Sequence, residues 1–397
     1  MASSRFGYPL RIAQRTVREL SHRRLLYSRP RSENILRLRN WNNRATGDHK
    51  TILVVQLADI GDLVITSVFL RELRVCYPDA KIVLAVAPFT ASYARLCPHV
   101  DSVALFDPKK LAGLKWKQCL TGCDAWWSGA ADFKKEYFPQ HPPDLGFTVR
   151  THRDSIQAAS QILLTATHVG QRVGYPLKPL FGYLRSTYLL DHIYPPTLTG
   201  HEIERQLKLL EVARKNIRPA GTLELWTSSQ TERHALEIWK GIGSNSSGPF
   251  IGVGIGAGRP EKCWPLAHYA ELVRWLESTG WTPLLIGSQA DRLSAEKILS
   301  VSGSQRAINL TGQIPLETTA AFFKTLNFFV GNDSGPMHLA VAARVPTVGI
   351  FGPEDSSRWG PWPPGLRSIA VSAPEKNLPS LKPETVQAAI LKLRESL

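Results

Sequence analysis

Short apolar runs that stop at glycine or proline recur along most of this chain, and between them lie stretches whose apolar residues return every three or four positions. From residue 51, "TILVVQL" has the texture of a strand buried on both faces of a parallel sheet. The run is broken by "ADIGD", after which "LVITSVFLRELRVCYP" carries Val64, Val68, Leu73 and Cys76 at helical intervals and stops at Pro78. "KIVLAVA" and "SVALF" follow as further strands, so this region is a strand-helix-strand series.

A second series begins near residue 250. "PFIGVGIGAG" is a strand running into a glycine turn, "LAHYAELVRWLESTG" a helix ending at Gly280, "WTPLLIGS" a strand and "LETTAAFFKTL" a helix. "NFFVG" and "PTVGIFG" are strands on either side of another helix, "MHLAVAARVP". "HEIERQLKLLEVARKN" closes the first series and "IRPAGTLELWTSSQ" crosses to the second. Two doubly wound α/β domains are the simplest architecture. The expected division is a basic extension at 1–50, a first domain at 51–225, a second at 226–378 and a capped terminal helix at 379–397. Residues 112–160 mix Trp126 and Trp127 with prolines and charges in poor periodicity, which reads as an insertion or an acceptor-side loop.

Three stretches share one logic, a strand that ends and a turn that opens a helix: "LADIGDLVITS", "GAGRPEKCWPLAHYA" and "GNDSGPMHLAVA". In open α/β sheets, ligands bind outside the carboxyl ends of the strands, where these turns fall. In the third, Pro336 suits a first helical turn, Ser334 or Asp333 suits the cap, and His338 follows one turn in. Such an end presents free N–H groups and partial positive charge, so a phosphate or pyrophosphate is its natural ligand. Gly252, Gly254, Gly256 and Gly258 alternate and lack the G-x-G-x-x-G spacing, which argues against a nicotinamide cofactor.

Composition narrows this further. The 397 residues are 43% hydrophobic and 20% charged, an ordinary globular balance long enough for two domains. No apolar run approaches the ~18 residues of a membrane-spanning helix, and the N-terminus has no secretory pattern, so a cytoplasmic protein is expected. The five cysteines (Cys76, Cys97, Cys119, Cys123, Cys263) repeat no pair spacing and read as reduced thiols. Of the net charge of +15, residues 1–50 carry +9. Such a basic arm can serve nucleic acid or an anionic membrane surface; "RIAQRTVRELSHRRLLY" is roughly amphipathic, which suits a headgroup layer, and the other reading is a solvated tail with no specific partner.

"LVVQLADIGDLVITSVFLRELRVCYPDAKI", "GAGRPEKCWP" and "VGNDSGPMHLAVAARVPTVGIFGPEDSSRWGP" together resemble glycosyltransferase family 9, that of the lipopolysaccharide heptosyltransferases. The resemblance runs from about residue 51 to the end, leaving out residues 1–50 and roughly 112–160. It implies a GT-B fold, two Rossmann-like domains facing across a cleft, with the acceptor held mainly by the first and the nucleotide sugar by the second. It also implies an inverting, metal-independent transfer of a heptose or related sugar from ADP-heptose or a similar donor to a lipopolysaccharide or other lipid-linked or polysaccharide acceptor. Neither a cofactor nor nucleic acid is then expected, and the chain offers no Asp-x-Asp arrangement suited to a catalytic divalent ion. Such a transfer needs a base for the acceptor hydroxyl and positive charge for the departing diphosphate.

By the resemblance Asp62 is that base, although alone it reads as a helix cap, and Asp59 is its less well matched rival. Lys262 matches the lysine near the donor phosphates; the family often has Arg next, where this chain has Cys263. Asp333 would hold sugar hydroxyls, while Ser334, Gly335 and His338 would bind diphosphate. Asp291 matches an acidic position expected at the ribose, and Gly258 and Ile314 are weaker candidates for the nucleotide pocket.

Overall fold

The computed structural model describes residues 50–108, 119–151, 154–176, 189–194, 199–213, 220–243, 248–365 and 367–397. The basic arm and its amphipathic stretch lie outside the described residues, as do the side chains of Cys119 and Cys123; Cys76, Cys97 and Cys263 are free thiols. Among the described residues no helix is long and apolar enough to cross a membrane.

The apolar run at 51 forms β1 (Thr51–Gln56), and the helical spacing after it forms α1 (Ile60–Cys76), which buries Val64, Val68, Leu73 and Cys76. Then come β2 (Lys81–Val86), β3 (Ser102–Leu105), α2 (Cys119–Tyr137), β4 (Leu145–Thr148), α3 (Ser155–Ala166), β5 (Gln171–Gly174), β6 (His192–Ile193) and α4 (Glu202–Lys208). All strand pairs are parallel, in the order β3-β2-β1-β4-β5-β6.

After the crossing segment the second half runs α5 (Ser229–Gly243), β7 (Phe250–Gly254), α6 (Leu266–Ser278), β8 (Thr282–Ile286), α7 (Arg292–Ser302), β9 (Ile308–Asn309) and α8 (Leu316–Phe323). It ends with β10 (Phe328–Asn332), α9 (Gly335–Ala342), β11 (Thr347–Phe351), β12 (Ser368–Ser372) and α10 (Pro383–Glu395). Its sheet is also parallel, ordered β12-β11-β10-β7-β8-β9. Counted from each half's own first strand, both sheets have the same doubly wound order. The strand order therefore reverses between β1 and β4 in one half and between β7 and β10 in the other, and a crevice opens above the carboxyl ends of those strands.

Two expectations need correction. Residues 112–160 are not an insertion: from residue 119 they supply α2, β4 and the start of α3, and β4 pairs directly with β1 (Ile52 with Leu145, Val55 with Thr148). This strand is only four residues long and contains glycine, so it shows little of the periodicity that marks its neighbours. Asp62 is not a cap either. The N-cap of α1 is Asp59, and Asp62 lies inside the first turn.

A continuous apolar cluster joins the halves, running from Ile52 and Val64 through Trp226 to Phe322 and Met337. Trp226 stacks on Tyr93 at 5.1 Å, and Trp239 of α5 stacks on Phe322 of α8 at 4.6 Å. At the centre of the boundary the N-termini of α1 and α9 meet. A Cβ on Gly61 would stand 2.8 Å from His338 Cδ2 and 3.5 Å from Gly335 Cα, and a Cβ on Gly335 would overlap Ile60 Cγ2. Both positions therefore exclude a side chain.

Gly335→Ala forces that contact apart and is expected to cost about 1–3 kcal/mol, the usual range for overpacking. Gly241 is an exposed position in α5 where an added Cβ would meet nothing within 4 Å, so alanine there should be tolerated or slightly stabilising. Urea unfolding of both variants checks the contrast.

Candidate active site

Each switch-point turn delivers a side chain to a single cavity of about 550 Å³ between the halves. Asp62, Lys262, Gly258, Asp291, Ile314, Asp333, Ser334, Gly335 and His338 all line it, so the structure brings together every candidate the sequence singled out. It adds Arg150 and Asp154 from the β4–α3 turn, Arg259, and Glu354 from beyond β11.

On the first-half side, Arg150 Nη1 donates to Asp62 Oδ1 at 2.9 Å. The other edge of the same guanidinium is held by Asp154, with Nε 3.0 Å and Nη2 2.5 Å from Oδ2. Asp154 is itself fixed as the N-cap of α3, where its side chain accepts from the Gln157 amide at 3.0 Å. Asp62 is 19% exposed, and burial pushes its pKa from 3.8 up to about 6. Arg150 opposes that rise, while Glu202, Asp59 and Asp154 add to it. Burial works against the charge on Arg150, but its carboxylate neighbours raise its pKa overall, so it stays a cation.

On the second-half side, Lys262 Nζ lies 2.5 Å from Asp333 Oδ2. Its loop is fastened by Asn332, which is fully buried at the end of β10. The Asn332 amide donates to Ile255 O at 3.0 Å, and its carbonyl accepts from Trp264 N at 3.1 Å. Trp264 is also buried, donating from Nε1 to Leu381 O at 2.9 Å. Burial raises the pKa of Asp333, and Lys262 pulls it back. His338, packed in the interface, is driven down to about 3 by burial, then by His201 and Lys262, so its imidazole is neutral. Its Nδ1 has no hydrogen-bond partner among the described residues, and its Nε2 is 3.9 Å from Asp333 Oδ1.

The α9 end is built as the sequence suggested, with Ser334 at the N-cap position and Pro336 in the first turn. No side chain caps it: the Ser334 hydroxyl turns back to Asn332 O at 3.2 Å. The amides of Met337 and His338 reach Ser334 O at 3.1 and 3.4 Å, and Pro336 has none to offer, which leaves the Ser334 and Gly335 amides without a partner among the described residues. Asp291 borders the cavity and also closes its own turn, accepting from Ser288 N and Ser288 Oγ at 2.7 Å each. Cys263 donates nothing to the cavity's charge, but Arg259, four residues earlier, adds a cation there that is paired with Glu354.

The cavity's shape is fixed by polar ties between the halves. Arg358 Nε donates to buried Glu202 at 3.0 Å and its Nη2 to Thr151 Oγ1 at 2.7 Å. His201 Nε2 lies 2.9 Å from Gly360 O, and Trp362 Nε1 donates to Gly221 O at 2.9 Å.

The family model for glycosyltransferase family 9 (heptosyltransferase) matches residues 155–390, more than half the chain. The chain belongs to glycosyltransferase family 9.

It is 29% identical over 197 residues to lipopolysaccharide heptosyltransferase 2 of Salmonella typhimurium and 35% identical over 193 residues to that of Escherichia coli. Each match covers 47% of this chain and 54% of the relative, so the chain spans about half the length of these curated family 9 enzymes. Among solved structures, a glycosyltransferase family 9 protein from Veillonella parvula superposes with a TM-score of 0.71 at 20% identity, over 88% of this chain and 98% of that one. The E. coli ADP-heptose lipopolysaccharide heptosyltransferase II gives 0.64 at 20% identity, over 87% of this chain and all of that one. The fold is thus the GT-B arrangement of these family 9 proteins.

Asp62 binds its proton more tightly folded than unfolded, so it lowers stability as pH rises from about 4 to about 6 and keeps it lowered above that. Asp62→Asn is therefore expected to melt above the wild type at pH 8, with the difference shrinking toward pH 4. Comparing the two proteins at each pH cancels the opposite loss that neutral, buried His338 causes on acidification. Thermal melts across this range check the sign.

Proposed function

We propose that the protein is an inverting glycosyltransferase that moves a heptose from a nucleotide diphosphate, ADP-heptose, to a lipopolysaccharide or other lipid-linked acceptor. One observation carries the reading. A half-buried carboxylate from one half and an uncapped helix end, a lysine and a neutral histidine from the other line the same cavity. The relatives' names, lipopolysaccharide heptosyltransferase in each case, support the choice of sugar and acceptor.

In this reading the Asp62 carboxylate takes the proton from the acceptor hydroxyl as its oxygen attacks the anomeric carbon. The bond from that carbon to the diphosphate breaks on the opposite face, which inverts the configuration. A pKa of about 6 leaves Asp62 ionised near neutrality yet more basic than a solvated carboxylate. Charge arriving on the diphosphate meets Lys262, the Ser334 and Gly335 amides and a neutral imidazole N–H. Asp333 holds Lys262 until the phosphates arrive and remains to accept from sugar hydroxyls. The net +9 of residues 1–50 supports an anionic membrane surface as the place where the acceptor is met.

Incubation with a panel of nucleotide sugars should yield transfer from ADP-heptose, and Asp62→Asn should abolish transfer while ADP still binds. Selective use of another donor would replace the heptose, and an active Asp62→Asn enzyme would remove Asp62 as the base. Deleting residues 1–50 should reduce co-sedimentation with anionic vesicles and leave transfer to a soluble acceptor nearly unchanged; equal sedimentation would count against the membrane role.

A further inference from the structure

The β4–α3 turn joins the cavity through a residue that no motif marks. Arg150 makes the only ion pair to Asp62 among the described residues, at 2.9 Å, and is gripped on its far edge by Asp154. Asp154 cannot drift, because it caps α3. The next residue, Thr151, is tied to Glu202 and, across the boundary, to Arg358. Arg150 is thus immobilised from both sides, with one guanidinium edge committed to Asp154 and one N–H directed at the Asp62 carboxylate. A planar fork can bridge two carboxylates in this way, whereas an ammonium is a single point of charge.

We propose that Arg150 is the positioning residue for Asp62, fixing which carboxylate oxygen remains free for the acceptor hydroxyl and keeping that carboxylate ionised at neutral pH. The proposal rests on Asp62 being the base. Bound to Arg150 through Oδ1, Asp62 has Oδ2 as the oxygen free of this pair. Without the guanidinium, burial and three carboxylates all favour the protonated form. Asp59 contributes from the cap of α1, Asp154 from the cap of α3 and Glu202 from the start of α4. The remaining charged or titratable groups facing this end of the cavity are already engaged or neutral: Arg358 with Glu202, Lys262 with Asp333, and His338 uncharged. A more basic Asp62 that is already protonated cannot accept a proton, so Arg150 gives up base strength in exchange for an available base.

Two substitutions should then shift the pH profile in opposite directions. In the wild type the acidic limb of kcat/KM is expected near pH 6. Arg150→Met should raise that limb by about one pH unit or more, which is roughly tenfold or greater loss of activity on the acidic side, with recovery toward pH 9. Arg150→Lys should return the limb part of the way. Asp154→Asn, which keeps a capping side chain and removes one neighbouring negative charge, should move the limb below that of the wild type. Carbon-13 titration of the Asp62 carboxylate in the substrate-free protein should show the same order of pKa values. An Asp62-dependent activity with a limb and carboxylate titration that stay put in Arg150→Met and Asp154→Asn would overturn the proposal. If no donor is turned over but the titration shifts as stated, the pairing stands and the transferase reading fails.

Discussion

The first turns of α1 and α9 lie against each other because neither Gly61 nor Gly335 carries a side chain. Each turn follows the first or fourth strand of a doubly wound sheet, so their contact brings two switch-point crevices mouth to mouth. The partial positive charge of a helix end is short-ranged and is lost within a turn or so. Bringing the ends this close lets one half present the Asp62 carboxylate and the other an uncapped helix end to the same cavity. The apolar cluster that crosses the boundary and the Arg358–Glu202–Thr151 tie hold the halves in this register.

The charges inside the cavity follow from that geometry. Burial raises the acids Asp62 and Asp333 and lowers the base His338. Where a carboxylate must stay charged, a cation stands beside it, Arg150 for Asp62 and Lys262 for Asp333. Where a cation would be costly, the histidine is neutral and still able to donate a hydrogen bond. The two pairs differ in how they are held: Arg150 is gripped by a second carboxylate, while Lys262 has a single ion pair among the described residues.

Much of this was legible in the chain. Buried strands of a parallel sheet announce themselves as apolar runs, and the helix at 335 was marked by Ser, Gly and Pro in the right order, so both sheets and most of the cavity followed from pattern and family resemblance. Arg150 and Asp154 did not. Both follow a four-residue strand, "LGFT", too short for a period to emerge, and an arginine four residues before an aspartate reads as an ordinary surface pair. The signal that was present was Asp154 ahead of "SIQAASQILL", a cap before an apolar helix. Asn332 was equally quiet, a polar residue closing the buried run of β10, where an uncommon amide inside a strand indicates a structural hydrogen-bonding role.

The proposed transfer requires the α9 end to receive the donor's phosphates, and a crystal structure of the protein with ADP tests this most directly. The diphosphate should lie within hydrogen-bonding distance of the Ser334 and Gly335 amides, with Lys262 drawn from Asp333 toward a phosphate oxygen and His338 at its edge. ADP bound outside this cavity, or inside it with its phosphates turned away from α9 while Lys262 still grips Asp333, would contradict it.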